Sequence, residues 1–222
     1  MKYKNNSIQI SCDGGAATGK STGAKMISKK YKLKFLSSGL LYRYASYLIL
    51  KHKPKNEIKF LHQKFKYLNY KKLDRMRLHA PEISSFSSII AKKNKIRNIL
   101  KKFQIHFSVK YKNCCIEGRD ISTKILPKSD VKFFFICNLH TAAKRRFNEL
   151  KKTQKKIKFS DVKKALRIRN ISDTKRKHSP LLKHRNSVEI DTSKLSKSKM
   201  IAKMSKYVEE ALKRKYENKS RN

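Results

Sequence analysis

Residues 7–22 read SIQISCDGGAATGKST, an apolar stretch centred on Ile8 and Ile10 that runs into a glycine-bearing turn and then a lysine and two hydroxyls. Gly14, Gly19, Lys20 and Ser21 fall at the fixed positions of G-x-x-x-x-G-K-[ST]. A strand-like run precedes the match and a helical pattern follows it, the context in which such a loop holds phosphate. A tight turn bare of side chains lets successive backbone N–H groups point at phosphate oxygens, and the next helix adds its positive end. Gly14, Gly15, Ala16, Ala17, Thr18, Gly19, Lys20, Ser21 and Thr22 are therefore expected to cradle the phosphates of ATP. Lys20 would reach the β- and γ-phosphates, and the Ser21 hydroxyl would ligate a magnesium ion bridging them. The competing reading is a strand-to-helix turn with an incidental lysine.

Working outward, residues 20–31 read as a helix, 34–36 as a short strand and 38–50 as a second helix opened by a serine cap. That βαβα beginning predicts an α/β fold with a parallel sheet. Tyr42 and Arg43 sit about one turn into the second helix, near its positive end. Residues 51–80 are Lys-rich with weak periodicity and read as a small inserted subdomain. A helical pattern over 81–107 breaks near 92–94, with Ser88 and Arg97 on either side of the break. Residues 113–116 read as a strand ending in Glu117-Gly118-Arg119-Asp120, and 131–137 as a fully buried strand. In an open parallel sheet ligands bind beyond the carboxyl ends of strands, where the phosphate loop and residues 118–120 would both lie. Helices follow over 139–150 and 160–169, separated by a charged connector. Residues 169–176 are polar and basic without core-facing apolar spacing, and read as a mobile flap of the kind that excludes water during phosphoryl transfer. The alternative is a solvated loop. A last strand over 187–190, a helix over 196–213 and a frayed polar tail over 214–222 complete the chain.

Lys and Arg number 58 against 15 Asp and Glu, a formal charge of +43. Such a field suits either a polynucleotide binder or an enzyme steering small polyanions. No aromatic-and-basic RNA motif or DNA-reading module appears, so nucleic acid is expected only as a nonspecific electrostatic partner. Before residue 110 the acids are Asp13, Glu57, Asp74 and Glu82 alone. The four cysteines lack paired C-x-x-C spacing and the seven histidines lack ligand spacing, so neither zinc nor a disulfide is expected. The absence of a long apolar run or a signal pattern leads to the expectation of a cytoplasmic protein without a membrane partner.

Taken together, the pieces resemble the cytidylate kinases of the bacterial type, in the nucleoside-monophosphate kinase group of phosphate-loop proteins. The resemblance rests on Asp13-Gly14 with Gly19 to Thr22, Ser38-Gly39 with Tyr42-Arg43, Ser88 and Arg97, and Glu117 to Asp120. It extends to Arg169, Asp173 and Arg176, to Ser179-Pro180-Leu181 and to Ile190-Asp191-Thr192. It implies a three-layer phosphate-loop kinase fold with a parallel sheet flanked by helices. A monophosphate-binding subdomain would span 51–97, with a shortened insert at 51–80, and an arginine-rich lid would span 154–180. It implies transfer of a phosphoryl group from ATP, with Mg, to CMP or dCMP. Ser38, Ser88, Arg97 and Asp120 would surround the cytosine, Arg169 and Asp173 would contact the sugar, and Arg43, Arg119 and Arg176 would grip the acceptor phosphate. Lys20, Arg119 and Arg176 would carry the catalysis. Family likeness and the lack of an apolar interface stripe point to a monomer.

The chain departs from that pattern in places. Ala17 stands where many relatives have glycine, tolerable if its φ is negative, and Gly15 replaces a common proline. Asn170, Ile171 and Ser172 stand where two acids and an arginine are common, and His79 where an arginine is common. Two further readings are a phosphate-loop kinase on another acceptor (UMP, AMP or dephospho-coenzyme A) and a basic nucleic-acid-binding protein with an incidental nucleotide fold.

Overall fold

The computed structural model describes residues 7–152, 154 and 156–219. The strands are β1 (Gln9–Gly14), β2 (Lys34–Ser37), β3 (Cys114–Gly118), β4 (Val131–Ile136) and β5 (Val188–Asp191). The helices are α1 (Lys20–Lys30), α2 (Ser38–His52), α3 (Glu57–Lys66), α4 (Pro81–Ile90), α5 (Asn94–Lys110), α6 (Leu139–Lys151), α7 (Phe159–Lys175) and α8 (Lys197–Lys219). A short 3₁₀ turn covers Tyr70–Arg75 and a single π turn covers Ile121–Ile125. The chain divides into two compact units, one of residues 1–35 and 112–222, the other of residues 36–111.

The five strands order as β2-β3-β1-β4-β5, with β1 parallel to β3 and β4, and β4 parallel to β5. β1 is central and buried from Ile10 to Gly14, its one carboxylate, on Asp13, being buried too, as suits a strand with neighbours on both edges. Ile8, Ile10 and Cys12 pack with Phe133, Phe135 and Ile190 against Ala24 and Ile27 of α1 and Met200, Met204 and Val208 of α8. Each large side chain so buried contributes about 1.5–3 kcal/mol. Gly23 lets α1 come this close, since a Cβ there would stand 2.8 Å from the Phe135 ring. A second cluster joins Ala142 and Ala143 of α6, Val162 and Leu166 of α7, and Ala16 of the loop after β1.

The second unit is helical. The stretch 51–80, weakly periodic in sequence, contains α3, capped by Asn56, whose Oδ1 accepts the Lys59 N–H at 3.0 Å. Its core side chains are Leu61 and Phe65, one turn apart. Phe65 meets Phe103 of α5 edge-on at 5.9 Å. The break expected near 92–94 lies between α4 and α5.

Three expectations are corrected. Residues 169–175 are not a loop: α7 continues unbroken to Lys175, and Arg176 leaves it with extended backbone. The helix expected to end at 213 runs to Lys219, so 214–219 are helical rather than a frayed tail, and 220–222 lie outside the described residues. Ser37, not Ser38, caps α2, accepting the Leu40 N–H at 3.3 Å. Among the described residues no helix is long and apolar enough to cross a membrane. All four cysteines are free.

Candidate active site

The phosphate loop begins where β1 ends. Gly14 is required by packing: a Cβ there would run into the Phe135 carbonyl and lie 2.9 Å from the Phe135 Cβ. Gly19 caps α1 in a left-handed conformation, φ 80°. Thr18 braces the turn between them, its hydroxyl donating to the Gly15 carbonyl at 3.1 Å while its own carbonyl accepts the Thr192 hydroxyl at 2.7 Å. Arg145 holds Thr192 in turn, with guanidinium bonds of 2.9 and 2.6 Å to its hydroxyl and carbonyl. Ala17 has φ 56°, so the condition under which an alanine sits there without strain, a negative φ, is not met. Ala17 packs against the cluster that includes Ala16, Ala142 and Ala143, and its conformation costs an L-residue about 1–2 kcal/mol.

Lys20 is buried at the start of α1, its Nζ 3.6 Å from Glu117 Oε2 and 3.3 Å from the Gly15 carbonyl. Burial, reinforced by the charge of Arg119, pulls its pKa down to about 8, against the opposing pull of Glu117. Ser21 and Thr22 are exposed on the first turn of α1.

Asp13, fully buried at the end of β1, is a clamp. Its carboxylate accepts the Ile121 N–H at 2.8 Å, the Ser122 N–H at 2.7 Å and the Ser122 hydroxyl at 2.6 Å. Burial lifts its pKa to about 6 despite these bonds. The clamp ties the turn after β3 to the phosphate loop and so fixes Arg119 and Asp120, the residues just before that turn. Arg119 Nε donates to Asp173 Oδ2 of α7 at 2.7 Å, and Arg176 Nη1 lies 3.6 Å from Asp173 Oδ1. Burial alone would raise the Asp173 pKa; the guanidiniums of Arg119, Arg169 and Arg176 outweigh it and hold the carboxyl below its usual range. Arg176 Nε also donates to the Ser179 carbonyl at 2.6 Å, folding residues 176–179 back on the helix end.

The first unit thus gathers Lys20, Arg119, Asp120, Arg169, Asp173 and Arg176 near one another. Ser38, Arg43, Ser88 and Arg97 belong to the second unit. There Arg43 Nε donates to the Ser84 hydroxyl at 3.4 Å, Ser88 donates to the Ser84 carbonyl at 3.5 Å, and the Arg97 guanidinium lies 5.5 Å from the Tyr42 ring. Arg97 also donates to the Ala91 carbonyl at 3.1 Å, closing the gap between α4 and α5.

Four residues had no role assigned from sequence. Glu117 partners the loop lysine, Arg145 braces the loop through Thr192, Asp13 clamps the π turn, and Asn170 accepts the Ala16 N–H at 3.1 Å. Asp13 and Glu117 carried a signal as acids in a chain with few of them, and Asn170 as a departure from the family pattern; Arg145 carried none.

The family model described as "Cytidylate kinase" matches residues 10–210. A cytidylate kinase of Bartonella tribocorum is 35% identical over 84% of this chain and 87% of its own. A cytidylate kinase of Clostridium tetani is 30% identical over 92% of this chain and 95% of its own. Among solved structures, an uncharacterized protein from Eubacterium ventriosum is similar at a TM-score of 0.55 and 14% identity, covering 92% of this chain and 99% of its own, a likeness of fold. With the family pattern matched from the first strand into the last helix, and relatives similar over most of both chains, the chain belongs to the cytidylate kinase family.

Proposed function

We propose that the protein transfers the terminal phosphoryl group of ATP to CMP or dCMP, giving ADP and CDP or dCDP. An oxygen of the acceptor's phosphate attacks the γ-phosphorus as the bond to the β–γ bridging oxygen breaks and ADP leaves. The observation that carries this reading is the grouping of a buried loop lysine with the Arg119–Asp173–Arg176 cluster, within reach of one another's fields. Two anionic nucleotides repel, and such a set offsets that repulsion while holding the reacting phosphates in line. Lys20 neutralises the donor's phosphates. Arg119 and Arg176 grip the acceptor's phosphate, a role the resemblance extends to Arg43, and Asp173 holds the first two in position as well as facing the sugar with Arg169.

Asp120 of the first unit reads the cytosine, a role the resemblance extends to Ser38, Ser88 and Arg97. Cytosine offers an N4 donor beside N3 and O2 acceptors, which a carboxylate, a guanidinium and hydroxyls match; uracil presents an acceptor at position 4 and leaves the carboxylate unpaired. Magnesium fits the residues present. The exposed Ser21 hydroxyl at the start of α1 would be one ligand, and this ion takes most of its other ligands from phosphates and water. When bound it supplies charge neutralisation at the phosphates. We place the protein in the cytoplasm, as a monomer.

Replacing Asp120 tests the cytosine reading. Asp120→Ala is expected to lower kcat/KM for CMP by about 10²-fold or more while leaving the KM for ATP within about threefold. Equal losses toward both substrates would contradict it.

A further inference from the structure

Asn170 lies in the last two turns of α7, directly after Arg169 and three residues before Asp173. Its Oδ1 accepts the Ala16 N–H at 3.1 Å and would stand 3.2 Å from a Cβ placed on Gly15. The orientation of the amide is fixed by chemistry, since its NH₂ group turned toward that N–H would set donor against donor. Ala16 is buried among Ala142, Ala143, Val162 and Leu166, so its N–H cannot turn to another acceptor without disturbing that cluster. The N–H belongs to the loop whose backbone donors hold phosphate oxygens. One proton serves one strong acceptor, so a side chain from α7 and a donor phosphate oxygen are rivals for it.

We propose that Asn170 sets the protein's affinity for its phosphoryl donor by competing with a donor phosphate oxygen for the Ala16 N–H. The donor and α7 exchange over a single hydrogen bond. The exchange falls in the same stretch of helix as Arg169 and Asp173, so arrival of the donor is felt at the groups that hold Arg119 and Arg176. Asn170 is a positioning residue in this scheme, and the inference rests on the reading of residues 14–22 as the donor site.

The test is calorimetric titration of the full chain with ATP in the absence of acceptor, for the wild type, Asn170→Ala and Asn170→Asp. Removing the rival should tighten ATP binding by about three- to tenfold in Asn170→Ala, the range of one net hydrogen bond. Asn170→Asp keeps the shape and the acceptor but sets a negative charge against the phosphates, and should weaken ATP by about threefold or more, an effect that shrinks as salt is raised. Opposite signs in the two variants are the signature: a purely structural contact would weaken binding in Asn170→Ala and leave Asn170→Asp like the wild type. Weaker or unchanged ATP binding in Asn170→Ala overturns the proposal. Should Asn170→Ala fail to fold, wild-type affinity in Asn170→Asp overturns it alone. A wild type that binds no ATP overturns the donor-site reading and this inference together, whereas ATP binding indifferent to residue 170 overturns only the inference.

Discussion

Lys20 is held where its charge costs most and matters most. Its pKa of about 8 lies below the usual lysine value because burial, aided by Arg119, disfavours the ammonium. A folded-state pKa below the unfolded one means that the folded chain binds fewer protons between about pH 8 and pH 10.5, so this group's share of stability rises with pH across that window. ATP acts oppositely, since its phosphates favour the charged form. ATP affinity is therefore expected to be level below about pH 7, to fall above about pH 8, and to be accompanied near pH 8 by proton uptake, read from calorimetry in buffers of different ionisation enthalpy. Flat affinity to pH 9 without proton uptake would contradict the assignment. Ala17 offers a second check: with φ 56° it carries avoidable strain, and Ala17→Gly should stabilise the protein by up to about 1 kcal/mol in urea unfolding, after the greater freedom of glycine in the unfolded chain is subtracted. A loss of stability would mean that the alanine methyl's packing outweighs its strain. Lys20 was legible in sequence because spacing declares a phosphate loop. Its partner Glu117 stood in sequence only as the first residue of a strand-end motif, with no role assigned, and no local signal gives the sign of the Ala17 φ.

Among the elements, α7 shows most clearly where sequence patterning stops being informative. Val162 and Leu166 mark its buried face in apolar residues, and the same face continues with Arg169, Asn170 and Asp173. Hydrophobic period is the signal by which a helix is read, and it ends at Leu166 because the helix there stops facing the core and starts facing charged groups. The residues that looked like a mobile loop are the last two turns of a helix, and the proposed sugar- and phosphate-binding groups Arg169 and Asp173 lie on them. α3 failed differently: its two core residues, Leu61 and Phe65, are outnumbered by lysines that belong on its exposed side. The strands, by contrast, were readable as short apolar-rich stretches ending at turn signals, although Lys132 interrupts β4 and Glu189 interrupts β5. If α7 positions the acceptor's arginines, Asp173→Asn should lower kcat/KM for CMP by about 10- to 100-fold with a smaller change in the KM for ATP, and should cost about 1–3 kcal/mol of stability. Unchanged acceptor kinetics would remove Asp173 from the site.

At the scale of the whole molecule the charge of +43 exceeds what two nucleotides require. Four lysines, Lys51, Lys64, Lys66 and Lys72, and no Asp or Glu are among the described residues that line one groove of about 880 Å³ in the second unit, so the surplus is not confined to the phosphate loop. Such a surface steers small polyanions, and it also attracts polynucleotides in a way that salt abolishes. Charge alone therefore cannot separate an enzyme on nucleotides from a nucleic-acid binder; turnover can. The most direct measurement is ADP release by the purified protein with ATP and Mg, offered CMP, dCMP, UMP, AMP, dephospho-coenzyme A or no acceptor. Turnover with CMP and dCMP, exceeding that with UMP by about 10²-fold or more in kcat/KM, is the predicted result. Turnover with another acceptor in preference to both, or slow ADP release that ignores the acceptor, would contradict it.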